Sequence, residues 1–436
     1  MLSLDRKELF PQLPSGVVYA DWTGAALPPA HLVHAHADFL TRDLLGNPHS
    51  HHSSSARAME QVNEARETVL AYFNADPDEY VVVWTQNASA AILLLQHYMW
   101  QGGELLLTAD NHNTMNGIRE IARRDGAIVR YSPINEDLSL DADALRQRLM
   151  HPRTNHHRVF GFPAMSNYSG ALHDLEWVSL AQEHGWDVIL DAAAYLANNR
   201  LDLSRVKPQF VPMSFYKMFG FPTGVGALLV RKDVFARMDK RWFAGGTILL
   251  VSVMADFYAL EPAGPARFED GTVNFQMMPA VTRGLRWLDT LGDRKVHANA
   301  IARTLRDGLL DLRVGDNSIR VHSPPDTSVV TFSVLRTGET VNAWEVEHAA
   351  DEVGIHVRTG CFCNPGANER TMGYTVNEFE VVYNDGASAN DFTLEKLREH
   401  SGGKPIGAIR ASFGYANTLE DAHRILGFLR EYLGSL

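Results

Sequence analysis

Six short apolar runs fall between residues 80 and 230, at 80–84, 104–108, 127–131, 159–162, 188–190 and 226–230. Each suits a strand buried on both faces and is too short for a buried helix. Between several of them lie amphipathic segments, such as residues 113–124, which Gly126 closes as a helix-ending glycine would. Strands alternating with helices predict an α/β fold, with a mostly parallel central sheet covered by helices on both faces. Ligands of such sheets bind beyond the carboxyl ends of the strands. The loops that follow these runs are therefore where chemistry is expected.

The texture changes after about residue 291. A helix is expected at 295–312, a strand at 328–334, a helix at 343–353, strands at 355–358 and 408–413, and a last helix at 419–433. Thr418 suits the N-cap of that helix, with Asp421 three residues on. This pattern predicts a smaller α+β domain. The expected division is a large α/β domain over 15–290 and a small domain over 291–436 together with 1–14. The 436 residues are enough for two such units. The polar stretch 370–407 reads as a surface insertion. The most apolar stretch, 247–257, reads as a buried segment.

No apolar run approaches the ~20 residues that cross a bilayer. The first residues lack the basic start and apolar run of a signal peptide. A cytoplasmic location and no membrane partner are expected. Lys and Arg number 40 against 52 Asp and Glu, a net charge of −12, which excludes a general affinity for nucleic acid. The two cysteines, Cys361 and Cys363, are one residue apart. A bridge that short is strained, so no disulfide framework is expected and a reducing compartment fits.

Several residues could carry chemistry. Lys217 sits in SFYKMFGFPTG among Phe215, Tyr216, Met218 and Phe219. Its stem could lie on an apolar surface with the head in water. Alternatively, desolvation could lower its pKa and make it a Schiff-base lysine. Asp191, in DVILDAAAYLA, could cap the following turn. It could equally keep a pyridine nitrogen protonated, as a pyridoxal phosphate enzyme requires. An amine and an acid in successive strand–loop units supply both groups that this cofactor needs. The turn in VVVWTQNASAAILLL opens a helix, whose free N–H groups bind phosphate. Ser214, Tyr216 and Thr272 would add hydroxyls.

His112, after another strand, could stack on a flat ring or be an ordinary polar residue. His49, His51 and His52 match no zinc spacing and no metal is expected. Cys361 and Cys363 could be small buried residues, or one could be a reactive thiol beside Arg358. Arg410, on an expected strand, could hold a carboxylate in a two-pronged contact.

These segments occur together and in order: NPHS, DNHNTMNGIR, FPAMSNYSG, LDAAA, FVPMSFYKMFGFPTGVGALLVR, FAGGT, FEDGT, RTGCFCNPGA and IRASFGYANTLED. On them, from Tyr19 to the end, the chain resembles the fold-type I pyridoxal phosphate-dependent transferases of the class V aminotransferase kind. Within these it resembles the cysteine desulfurases, and among those the N-terminal part of molybdenum cofactor sulfurases. The resemblance implies that Lys217 bonds the cofactor, Asp191 pairs with its ring nitrogen and His112 stacks on it. It puts Asn167 near the phenolic oxygen and Ala88, Ser89, Ser214 and Tyr216 around the phosphate. Thr272 would reach the phosphate across a homodimer interface. Arg410 and Arg358 would bind substrate, and the Arg-x-Gly-x-x-Cys spacing from Arg358 makes Cys363 the sulfur-accepting thiol.

Some positions depart from the family. The phosphate turn reads TQNASA where a threonine–serine–glycine–alanine–threonine run is usual, and Asn368 stands in place of a further cysteine. Ala194, where many bacterial desulfurases carry Gln or His, agrees with the sulfurase branch. The sulfurases' molybdenum-cofactor-binding domain has no counterpart in these residues, which leaves the sulfur's destination open. The implied activity is desulfuration of L-cysteine, or a related amino acid, to L-alanine and an enzyme persulfide. An acceptor protein or small molecule would then take the sulfur. Other reactions on the same scaffold are a β-lyase, a desulfinase, a decarboxylating carbon–carbon bond former or a transaminase. A non-catalytic sulfur carrier is the remaining alternative. Persulfide on Cys363 separates the first reading from the others.

Overall fold

The structure, a computed structural model, describes residue 2 and residues 4–98, 100–262, 264–385 and 393–436. After the short β1 (Val18–Tyr19), the apolar runs form β2 (Tyr80–Thr85), β3 (Glu104–Thr108), β4 (Ile128–Ser132), β5 (Arg158–Pro163), β6 (Asp187–Asp191), β7 (Phe210–Ser214) and β8 (Gly226–Arg231). These last seven make one sheet in the order β2-β8-β7-β6-β5-β3-β4. The β3–β4, β3–β5, β5–β6 and β6–β7 pairs are parallel, while β8 runs antiparallel to both its neighbours. β2, β3, β5, β6 and β7 therefore deliver their carboxyl ends to one edge of the sheet. Side-chain alternation feeds two cores. Leu106 and Phe160 pack on one face, and Leu105, Leu107, Val159 and Ile189 on the other.

β7 lies between apolar neighbours yet carries Pro212. A proline donates no ladder hydrogen bond, and β6 and β7 keep only the Ile189–Phe210 partnership. The strand is held instead by its five antiparallel partners on β8. Gly226 opens β8 against the turn after β2. A Cβ at this position would stand 2.6 Å from the Asn87 Cα and from the Met213 carbonyl.

Residues 247–257 are not a buried segment. They enter a two-stranded ribbon, β9 (Ile248–Ser252) and β10 (Phe257–Leu260), which joins neither large sheet. Two strands have no third layer to cover them. Leu249, Phe257 and Tyr258 are exposed, and Val253 and Met254 at the tip are exposed by 92% and 101%.

The second sheet contains β11 (Arg313–Val314), β12 (Asn317–Val321), β13 (Val329–Arg336) and β14 (Glu339–Thr340), followed by β16 (Arg358–Gly360) and β17 (Ala408–Ser412). β15 (Ile355–His356) pairs instead with β1, in parallel. The expected strand at 355–358 is thus divided between two sheets. The helices Arg294–Leu310 and Leu419–Ser435 cover this sheet through Ile301, Leu305, Ile425 and Leu429. Thr418 and Asp421 form a reciprocal capping box at the start of the second helix. Within the polar stretch 370–407 the described residues include the helices Val376–Asp385 and Leu394–His400. Among the described residues, no helix is long and apolar enough to cross a membrane.

Candidate active site

A cavity of about 220 Å³ opens at the carboxyl edge of the seven-stranded sheet. It is lined by Asn87, Ala88 and Ser89 after β2, His112 and Thr114 after β3, and Asn167 after β5. Asp191 ends β6 and Ala193 and Ala194 follow it, and Ser214 ends β7, followed by Tyr216 and Lys217. Most of the expected site residues thus share one hollow, because parallel strands end together.

Lys217 lies in the one-turn helix Tyr216–Phe219, which stops at Gly220 in the left-handed region (φ 78°). A Cβ on Gly220 would stand 2.2 Å from the backbone of Pro28, so the turn rests directly on the N-terminal segment. The residual exposure of Lys217 is into the cavity, whose walls still desolvate the amine and lower its pKa. Asp191 opposes the shift, Arg410 and Arg358 reinforce it, and Cys363 opposes it. Asp191 is buried, and its Oδ1 accepts from the Ala193 N–H at 3.0 Å. Capping the turn and facing the cavity are compatible roles for one carboxylate.

His112 caps the helix Asn113–Arg124, its Nδ1 accepting from the Thr114 N–H at 3.1 Å. That bond leaves the proton of the neutral ring on Nε2. Burial lowers the ring's pKa, against the pull of Asp191 and with Lys217 and Arg358. Around the start of the helix Ala88–Leu93, Ser89 Oγ and Thr114 Oγ1 lie 2.9 Å apart, and the Ala88 N–H donates to Ser214 Oγ at 2.8 Å. Asn87 Oδ1 accepts from the Ala90 N–H at 2.9 Å, so the residue that departs from the family's usual run caps the helix.

The two cysteines follow β16. Phe362 and Cys363 are both in the left-handed region, at φ 53° and 57°, a costly pair for residues with side chains. Hydrogen bonds hold the loop to the large sheet's edge, three of them short. The Asn113 N–H donates to the Cys363 carbonyl at 2.7 Å, Asn364 Nδ2 to the Asp110 carbonyl at 2.7 Å, and Asn167 Nδ2 to the Phe362 carbonyl at 2.6 Å. Both thiols are free and half-buried. Cys363 lies within electrostatic range of Lys217 and Arg410, and Cys361 within range of Tyr168.

Arg410 on β17 is 2% exposed. Its Nη1 donates to the Asn167 carbonyl at 2.8 Å, and its Nη2 lies 2.7 Å from Asp21 Oδ1. Arg358 is more open and reaches Asp21 Oδ2 at 3.5 Å. Neither arginine lines the cavity itself.

Not every expected residue joins the site. Thr272 is exposed and away from the cavity of its own chain. His52 caps the helix Ser53–Tyr72, and the described residues hold no cluster of metal-ligating side chains. Sequence reasoning missed Asp21, Thr114 and Phe362. Asp21 follows the apolar residues 17–20 and precedes small residues at 23–26, a pattern no different from a capping aspartate.

An amine with a lowered pKa, a buried carboxylate, a flat imidazole and a group of hydroxyls suit a flat nitrogen heteroaromatic aldehyde that carries a phosphate. The donor set therefore fits pyridoxal phosphate.

Comparisons with known proteins give the family of the chain. The model of the aminotransferase class-V family matches residues 18–425. The chain is 32% identical to the molybdenum cofactor sulfurase of Danio rerio over 447 residues, which cover 95% of this chain and 53% of that protein. It is also 32% identical to the molybdenum cofactor sulfurase of Arabidopsis thaliana, over 96% of this chain and 56% of that one. The chain thus spans about half the length of these relatives. Among solved structures, a cysteine desulfurase from Thermococcus onnurineus superposes with a TM-score of 0.81 at 22% identity, over the whole of both chains.

Proposed function

The chain belongs to the class-V aminotransferase family, and on that premise we propose that it is a pyridoxal phosphate-dependent cysteine desulfurase that yields L-alanine and a persulfide on Cys363. The observation that carries this reading is Lys217, its pKa lowered by desolvation, in one cavity with Asp191 and His112. Three kinds of support converge on it: the cavity's donor set, the family, and the similarity to molybdenum cofactor sulfurases.

When bound, pyridoxal phosphate supplies an electron sink for charge developing at the substrate's Cα. Lys217 would attach it, Asp191 would hold a proton on its ring nitrogen, and the imidazole of His112 would lie against the ring. The hydroxyls of Ser89, Ser214 and Tyr216 would hold the phosphate at the turn of Ala88, and Asn167 would face the phenolic oxygen. The α-carboxylate of cysteine would be held at Arg410 and Arg358. Nζ of Lys217, neutral at lower pH than an ordinary lysine, would take the Cα proton. Sγ of Cys363 would form the new S–S bond while the substrate's Cβ–S bond breaks. Cβ would gain a proton and Cα would regain the one that Lys217 took, which completes alanine.

A homodimer is part of this reading. Thr272 is exposed, and its loop is tied to the base of the apolar β9–β10 ribbon by the Gly271 N–H donating to the Gly245 carbonyl at 2.8 Å. A second copy covering the ribbon would bring that hydroxyl near its own cavity.

The test is incubation of the cofactor-loaded protein with L-cysteine, followed by assay of alanine, sulfide and protein-bound persulfide. Alanine and persulfide in equal first-turnover amounts are expected. Turnover of cysteine without persulfide on the protein would sink the reading in favour of a lyase.

A further inference from the structure

Three charged side chains meet where the segment after β1 runs beside β17. The placement of Asp21 is firm. The Ser412 N–H donates to the Ala20 carbonyl at 2.7 Å, and the Thr23 N–H to Ser412 Oγ at 2.9 Å, so the turn is fixed on both sides of Asp21. Gly24 leaves room for the carboxylate, since a Cβ there would stand 2.4 Å from Asp21 Oδ2. Asp21 then occupies Nη2 of Arg410 and reaches Arg358. An acid in this position competes with the carboxylate that the two arginines are read as binding. A site built only for affinity would leave it out.

Resting on the functional reading above, we propose that Asp21 sets the charge of this pocket. It admits amino acids whose only net negative group is the α-carboxylate and turns away those whose side chain carries a second, such as a sulfinate or carboxylate. Arg410 and Arg358 act on Lys217 from outside the cavity's lining, and Asp21, which pairs with both, cancels one of their two charges. A single positive charge remains, which one carboxylate satisfies. Asp21 is thus a positioning and specificity-determining residue, held off the substrate by the arginines it pairs with. The same pairing fixes the orientation of Arg410, whose Nη1 is already taken by the Asn167 carbonyl.

The experiment compares two unreactive probes, L-alanine and L-aspartate, titrated against the cofactor-loaded protein and followed by the visible absorbance of the cofactor. For Asp21→Asn, the affinity for aspartate relative to alanine is expected to rise about tenfold or more, because the lost charge acts on the second anion at close range. For Arg358→Gln, which removes positive charge, the ratio is expected to fall. A merely structural role for Asp21 would weaken both probes alike and leave the ratio unmoved. An unchanged or lowered ratio in Asp21→Asn overturns the inference. If that variant binds neither probe, Arg358→Gln decides, and a ratio it does not lower overturns the inference. Wild-type protein that takes up the cofactor yet binds neither amino acid would instead sink the functional reading.

Discussion

The ring of Phe362 lies over the guanidinium of Arg410, with the ring centroid 4.7 Å from the guanidinium carbon. The residue between the two cysteines therefore covers the arginine read as the substrate's anchor. The ring also packs 5.1 Å from Tyr168 and is itself buried. Backbone strain at Phe362 is repaid by these contacts.

Replacing that ring should free the loop. Phe362→Ala loses a desolvated cation–π contact, worth about 1–2 kcal/mol. Cys363 should then be alkylated by iodoacetamide about 5–30 times faster, as read by mass spectrometry of its peptide. An unchanged rate would mean that the hydrogen bonds from Asn113, Asn167 and Asn364 hold the loop without the ring.

Lys217 makes a prediction about pH. Its pKa in the folded protein lies below the ordinary lysine value of 10.5, mainly through desolvation. Between those two values the unfolded chain binds more protons than the folded one, so stability rises with pH. The cofactor-free Lys217→Met variant should melt higher than wild type near pH 7, with the gain shrinking as the pH approaches 10.5. A gain of the same size at pH 7 and pH 10 would show that the amine is not desolvated. The same variant should retain no cofactor after borohydride treatment.

The thiols should divide their roles. Cys363→Ser is expected to abolish persulfide while cysteine still perturbs the cofactor's absorbance. Cys361→Ser, on the side of Tyr168, should keep much of the turnover. Trapped persulfide mapped to Cys361 by mass spectrometry would reverse the assignment.

The ribbon offers a test of assembly. Val253→Asp together with Met254→Asp changes two side chains that touch little of their own chain, so the fold should survive. Sedimentation should shift from dimer toward monomer. A dimer unaffected by both charges would place the subunit contact elsewhere.

The parallel core was legible because strands buried on both faces read as continuous apolar runs. β7 was not, because Pro212 interrupts its run, and its support comes from β8 after it in sequence. Asp191 and His112 could be read because each follows a recognisable strand, and Lys217 because its aromatic neighbours and the Gly/Pro turn after it set it apart from a surface lysine. The ribbon at 247–257 could not. Its apolar composition signals burial, but nothing local says that the burying surface is absent from its own chain. Asp21 lies 389 residues from its partner Arg410. A carboxylate paired that far along the chain leaves no trace in spacing, and its role appears only when β17 is laid beside the segment that follows β1.

The hydrogen bond from the Asn113 N–H to the Cys363 carbonyl has one more consequence. Gly366 presses against the Ala109 carbonyl so closely that a Cβ would stand 2.0 Å from its oxygen. The thiol's backbone is therefore clamped to the same segment that carries His112. While these contacts hold, the backbone of Cys363 cannot swing outward like an arm. If Cys363 carries the sulfur as proposed, the recipient would have to travel to the thiol, and the width of its approach would choose the recipient.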